Sequence, residues 1–320
     1  MSPLASVAKP PPSQATVWES ISTPRQSPAS LCVARCSVAD PATATNSFET
    51  ITYTANDGLQ LQARRFPQQG NRLGRLLFLH GIQSHSGWYL ATCQALSQAG
   101  YEVLFVDRRG SGNHTEKRGD TPNWWQIVDD ANAARTAAWG DAPVVVVGIS
   151  WGAKIALALA KRHPQGVRAV ALWAPGLCPK VNLSFLEKTS IFCTRVFSPT
   201  SLYPIPLNDP ALFTASEKWR QFLSQDPLAL HRATARFMVE STRLDLWLAV
   251  RKWDLPILIL LAGQEKIVDN LRTRTWINRH FQKKQIIEYP TAFHTLEFEP
   301  DTTWRDHFLI WVAKVGGLKD

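Results

Sequence analysis

A chain of 320 residues with 45% hydrophobic and 10% aromatic content can bury one large α/β domain carrying an insertion, or two smaller domains. Its formal net charge of +9 comes from 35 Lys and Arg against 26 Asp and Glu, scattered with no basic run of five, which argues against nucleic acid as a partner and leaves a loosely basic surface. No apolar stretch approaches the ~20 residues of a membrane span, and five cysteines without a disulfide or zinc spacing point to a reduced, cytoplasmic setting.

Residues 1–46 are dominated by Pro, Ser, Ala and Thr and show no period, so they read as a disordered extension. From Phe48 the pattern becomes regular. Phe48–Thr54 and Leu59–Arg65 are β-prone runs joined across Asn56-Asp57-Gly58, a hairpin signal. Leu76–Leu79 predicts a strand, Trp88–Ala99 a helix stopped by Gly100, and Tyr101–Val106 the next strand. A helix is expected to open at Thr121-Pro122, where proline suits the first turn. Pro143–Val147 is a continuous apolar run, as in a strand buried on both faces, and a helix over 152–163 follows. Arg168–Trp173, Pro256–Leu261 and Gln285–Tyr289 are further strands. Trp304, Phe308, Trp311, Val312 and Val315 give a closing amphipathic helix.

Alternation of this kind predicts a mostly parallel sheet with helices on both faces. One stretch breaks it. Between Pro175 and Trp253 helical patterns and proline-rich turns occur without a convincing buried strand. The expected organisation is thus a core over 47–175, a helical insertion over 176–253 and a second core segment over 254–320. The insertion would sit above the carboxyl edge of the sheet, where open α/β sheets bind ligands.

Gly148-Ile149-Ser150-Trp151-Gly152 follows the valines of the buried strand and opens a helix. In that context G-x-S-x-G is a strained turn that holds a serine hydroxyl above the sheet, so Ser150 is the candidate nucleophile. A serine needs a base. Of the eight histidines, His280 and His307 fall within helices, whereas His294 follows the last strand and can reach the same edge. The carboxylate that orients it should follow Pro256–Leu261, where Glu265 and Asp269 both stand. Glu265 lies in the loop; Asp269 precedes a helical run and is also explained as its N-cap. Glu265 is preferred and Asp269 is the alternative acid. Two backbone N–H groups are needed for an oxyanion. Trp151 follows the nucleophile, and Ile82 follows His80-Gly81 at the end of an earlier strand.

These segments resemble a known family. His80-Gly81-Ile82-Gln83-Ser84-His85-Ser86-Gly87-Trp88-Tyr89 is similar to the oxyanion segment of the monoacylglycerol lipase and lysophospholipase-like family, the serine aminopeptidase S33 group of α/β-hydrolases. Asp107-Arg108-Arg109-Gly110-Ser111-Gly112 resembles that family's next loop, and the remaining motifs match in order over about residues 47–316. The resemblance implies the α/β-hydrolase fold, an eight-stranded sheet with a helical lid between the sixth and seventh strands. It also implies hydrolysis of a small-molecule ester or lipid without metal or organic cofactor. The family's acid is usually Asp; here the position holds Glu265. Bulky Ile82 and Trp151 would narrow the acyl pocket. Phe185, Leu186, Ile191, Phe192, Val196, Phe197, Leu202 and Tyr203 enrich the lid in apolar residues. They suit an acyl chain or peripheral contact with a lipid surface, although packing of the lid onto the body explains most of them individually.

The same triad could serve acyl transfer or peptide hydrolysis, and the fold also occurs in non-catalytic ligand-binding proteins. A serine at the elbow argues against dehalogenase and epoxide-hydrolase chemistry, and Gly110-Ser111-Gly112 is weak as a nucleotide motif.

Overall fold

The β-prone and apolar runs form strands β1 (Glu49–Thr54), β2 (Gln60–Phe66), β3 (Gly74–Leu79), β4 (Tyr101–Val106), β5 (Val144–Ile149) and β6 (Val167–Trp173), then short β7 (Leu202–Pro204) and β8 (Arg232–Thr234), then β9 (Ile257–Ala262) and β10 (Lys284–Tyr289). The helices are α1 (Leu90–Gln98), α2 (Trp124–Trp139), α3 (Gly152–Arg162), α4 (Phe185–Phe197), α5 (Glu217–Gln225), α6 (Ala235–Ala249), α7 (Asn270–His280) and α8 (Thr303–Gly316). This is a computed structural model that describes residues 48–316. The expected N-terminal extension lies outside the described residues.

Eight strands make one sheet in the order β1-β2-β4-β3-β5-β6-β9-β10. The β1–β2 hairpin and the β2–β4 pairing are antiparallel, and all pairs from β4 to β10 are parallel. Successive side chains of a strand face opposite ways, so each apolar run feeds two cores. Leu77, Leu79, Val146, Leu172 and Ile259 pack with α2, α3 and α6 on one face. Leu76, Phe78, Val147, Trp173 and Leu260 pack with α1 and α8 on the other. This two-sided burial is why β5 and β9 read as unbroken apolar runs.

Two expectations about local structure need correction. Helix α2 opens at Trp124 rather than at Thr121-Pro122. Asn123 supplies the cap, its Oδ1 accepting the Gln126 N–H at 2.7 Å, and an acceptor side chain at that position outweighs a nearby proline. The insertion also contains strands: β7 and β8 pair antiparallel over three residues each, too few to show a period in sequence.

Within the insertion, α4 begins with a capping box between Ser184 and Glu187. Only Ile191 of this helix is buried. Phe185, Leu186, Phe192, Val196 and Phe197 are exposed, as is Leu202, so packing onto the body does not account for them. Among the described residues, no helix is long and apolar enough to cross a membrane.

Candidate active site

The turn after β5 is tight because its glycines allow it. Ser150 has φ +50°, a left-handed conformation that costs an ordinary side chain energy and is kept only where the surroundings enforce it. A Cβ on Gly148 would come within 2.7 Å of Ala153 Cα, and one on Gly152 would collide with the Leu79 carbonyl oxygen. Helix α3 therefore starts hard against β3 and β5. The elbow is closed by the Ser150 N–H donating to the Trp173 carbonyl at 2.9 Å and the Ser150 carbonyl accepting from Gly176 at 2.9 Å.

Ser150 Oγ donates to His294 Nε2 at 2.9 Å, and His294 Nδ1 donates to Glu265 Oε2 at 2.7 Å. The three side chains thus form one chain of hydrogen bonds, with His294 and Glu265 buried and Ser150 partly accessible. The other carboxylate oxygen of Glu265 accepts the Ile267 N–H at 2.8 Å and the Val268 N–H at 3.3 Å. These bonds hold the longer Glu side chain in place. Asp269 is not brought to the histidine. Its Oδ1 accepts the Arg272 N–H at 2.9 Å, capping α7.

The segment after β3 lies beside the serine. A Cβ on Gly81 would be 3.3 Å from Ser150 Cβ, so Gly81 lets the main chain approach Ser150 closely. Gly81 N–H donates to Ser84 Oγ at 2.9 Å. Among the described residues, neither the Ile82 N–H nor the Trp151 N–H has a protein acceptor, leaving both to meet a ligand. His80 is buried, and that burial, with the Arg108 charge beside it, pushes its imidazole down to about 3. It is therefore neutral, donating from Nδ1 to the Gly81 carbonyl at 2.8 Å and accepting the Arg108 N–H at 3.1 Å on Nε2.

The insertion is fastened to this edge by polar contacts. Asp226, after α5, accepts from His85 Nε2 at 2.9 Å and from Trp88 Nε1 at 2.6 Å. Burial alone would raise its carboxyl; these donors hold it below its ordinary value. Trp151 Nε1 donates to Ser241 Oγ of α6 at 2.8 Å, and Lys154 pairs with Asp245 at 2.7 Å. A cavity of about 280 Å³ opens between the insertion and the body, lined by Gln83, Trp88, Asn208, Phe213, Leu223 and His231 among others. None of Ser150, His294 and Glu265 lines this cavity, but Phe213 of its wall packs edge-on to His294 at 5.9 Å. A larger hollow of about 360 Å³ behind Phe293 and Trp304 touches none of the three linked side chains.

Sequence reading placed Ser150, Glu265, His294, Ile82 and Trp151 at this edge but did not single out Arg108, His85 or Asp226. Arg108 sits in an arginine doublet after β4, both members buried, and nothing in the order of residues says which of the two reaches the main chain beside Ser150. Asp226 faces partners 141 and 138 positions away, a pairing no local pattern reports.

The model of the family described as serine aminopeptidase, S33, matches residues 70–301. The chain belongs to the serine aminopeptidase S33 family of α/β-hydrolases. A phospholipase of Bacillus subtilis is 23% identical over 239 residues, spanning 71% of this chain and 89% of that protein. A proline iminopeptidase of Thermoplasma volcanium is 29% identical over 270 residues, spanning 76% of this chain and 90% of the relative. Among solved structures, a soluble variant of monoglyceride lipase from Saccharomyces cerevisiae, in complex with a substrate analogue, superposes with a TM-score of 0.74. It is 20% identical and the match covers 86% of this chain and 98% of that one. Family and relatives together make this S33 member a hydrolase of the lipase and esterase type.

Proposed function

We propose that the protein is a serine esterase that cleaves lipid-type carboxylic esters, monoacylglycerol- or lysophospholipid-like, through an acyl-enzyme on Ser150. The observation that carries the reading is the continuous relay Ser150–His294–Glu265, at 2.9 and 2.7 Å. Ser150 Oγ attacks the ester carbonyl as His294 Nε2 takes its proton, and Glu265 stabilises the imidazolium. The tetrahedral oxyanion is received by the N–H groups of Ile82 and Trp151, which have no protein acceptor among the described residues. His294 then protonates the leaving alcohol, and water releases the acid by the same steps in reverse.

Lipid-type substrates are supported by the exposed apolar face of α4, which suits peripheral contact with a lipid surface, and by the insertion that acts as a lid beside the cavity. A peptidase that grips a substrate ammonium group would need a carboxylate near the scissile bond. Among the described residues none lines the 280 Å³ cavity, and Asp226 is already engaged by His85 and Trp88. A panel of p-nitrophenyl butyrate, monoacylglycerol, lysophosphatidylcholine and proline p-nitroanilide tests the reading. Turnover of the esters, lost in Ser150→Ala, is expected; cleavage of the proline anilide ahead of every ester would contradict it.

A further inference from the structure

Arg108 and Arg109 leave β4 side by side and have different fates. Arg109 pairs with Asp57 and Asp130, a structural clamp between the hairpin and α2. Arg108 is buried at 6% exposure, yet it makes no ion pair with a carboxylate among the described residues. Its guanidinium instead grips main chain beside the nucleophile. Nη1 donates to the Gly81 carbonyl at 2.7 Å and Nη2 to the Ile82 carbonyl. The rings of Trp151 and of Phe237 in α6 lie 5.2 and 5.5 Å from it and pack against each other.

The Gly81 carbonyl and the Ile82 N–H belong to one peptide unit. That unit is planar and, with no cis bond among the described residues, trans, so its C=O and N–H point in opposite directions. Fixing the oxygen fixes the hydrogen. We infer that Arg108 is a positioning residue for the oxyanion hole, holding the Gly81–Ile82 peptide so that the Ile82 N–H faces the oxyanion. The guanidinium also polarises that peptide, which strengthens its N–H as a donor. An arginine is suited to this task because its planar fork spans two carbonyls and keeps its charge when buried. The Phe237 contact ties the same group to the insertion, so α6 and the oxyanion segment share one support.

This inference rests on the proposed role of Ile82, and the experiment separates the two. Wild-type protein, Arg108→Met, Arg108→Lys and Arg108→Ala are compared for ester turnover, for Ser150 labelling by a fluorophosphonate, and for inhibition by a trifluoromethyl ketone. The expected result is a fall in kcat of about 100-fold for Met, the lower end of what loss of an oxyanion donor costs, and about 10-fold for Lys, which keeps the charge without the planar fork. KM should change less than twofold, ketone affinity should fall in parallel with kcat, and guanidinium should partly restore Arg108→Ala. Wild type that neither turns over nor labels would sink the esterase reading itself. An active, labelled wild type with undiminished kcat in Arg108→Lys, or with kcat lost only in proportion to folded protein, overturns the role of Arg108. If the Met variant does not fold, the Lys variant decides alone.

Discussion

Glu265 does two jobs with one carboxylate. One oxygen is held by the main chain of Ile267 and Val268 and the other meets His294, so the carboxylate is oriented before any substrate arrives. A shorter Asp at the same backbone position would have to give up one set of partners or draw the loop inward. Asp269, the other candidate, ends in a cap. Glu265→Gln is therefore expected to lower kcat by about 10²- to 10⁴-fold, as when a triad carboxylate becomes an amide. Asp269→Asn should leave kcat within about twofold, because Asn caps a helix as well as Asp. Steady-state kinetics on a p-nitrophenyl ester checks both. The two were separable only weakly in the sequence. Spacing put both after β9, and what distinguishes them is which backbone N–H groups each oxygen finds, a property of the folded loop.

At the scale of elements, the insertion combines a firmly attached side with an apolar outer side. Asp226, Ser241 and Asp245 tether it to the body, while α4 turns Phe185, Phe192 and Phe197 to solvent at 81, 64 and 89% exposure. A helix whose apolar stripe faces outward has an unpartnered surface. Replacing these three phenylalanines by serine is expected to weaken sedimentation with anionic phospholipid vesicles by at least about tenfold. Turnover of a water-soluble ester should be unchanged, since none of the three lines the cavity. Loss of both together would mean that α4 supports the site rather than a lipid contact. The apolar content of this segment was plain in the sequence. Its direction was not, because helical spacing locates a stripe without saying what lies opposite it.

For the whole molecule, two cores divided by one sheet make the fold legible from the chain. Unbroken apolar runs such as Val144–Ile149 suit strands buried on both faces, and the elbow and the Glu265 loop fall at the ends of such strands, whereas His294 follows the edge strand β10, which is largely exposed. What stayed hidden were contacts between distant segments. Glu297 is one: it follows His294 by three residues, sits buried under α1 and bonds Thr92. Burial pushes its carboxyl up to about 7, against the opposing pull of Arg305 and Thr92. The folded state thus binds a proton more tightly than the unfolded chain, whose carboxyl stays near its ordinary 4.5. The stabilisation this provides is complete below that lower value and is lost as pH rises through about 7. Glu297→Gln, which mimics the neutral acid, should match the wild-type melting temperature at pH 5 and exceed it by a few degrees at pH 8. Equal melting temperatures at both pH values would show that Glu297 titrates normally.

The reading as a whole turns on Ser150 being the activated nucleophile. A fluorophosphonate probe, followed by intact mass and peptide mapping, tests that directly. One equivalent of adduct on the peptide carrying Ser150, formed by wild type and absent from Ser150→Ala and from His294→Ala, is the predicted result. A folded wild type that forms no adduct, or forms it at another residue, would contradict the account.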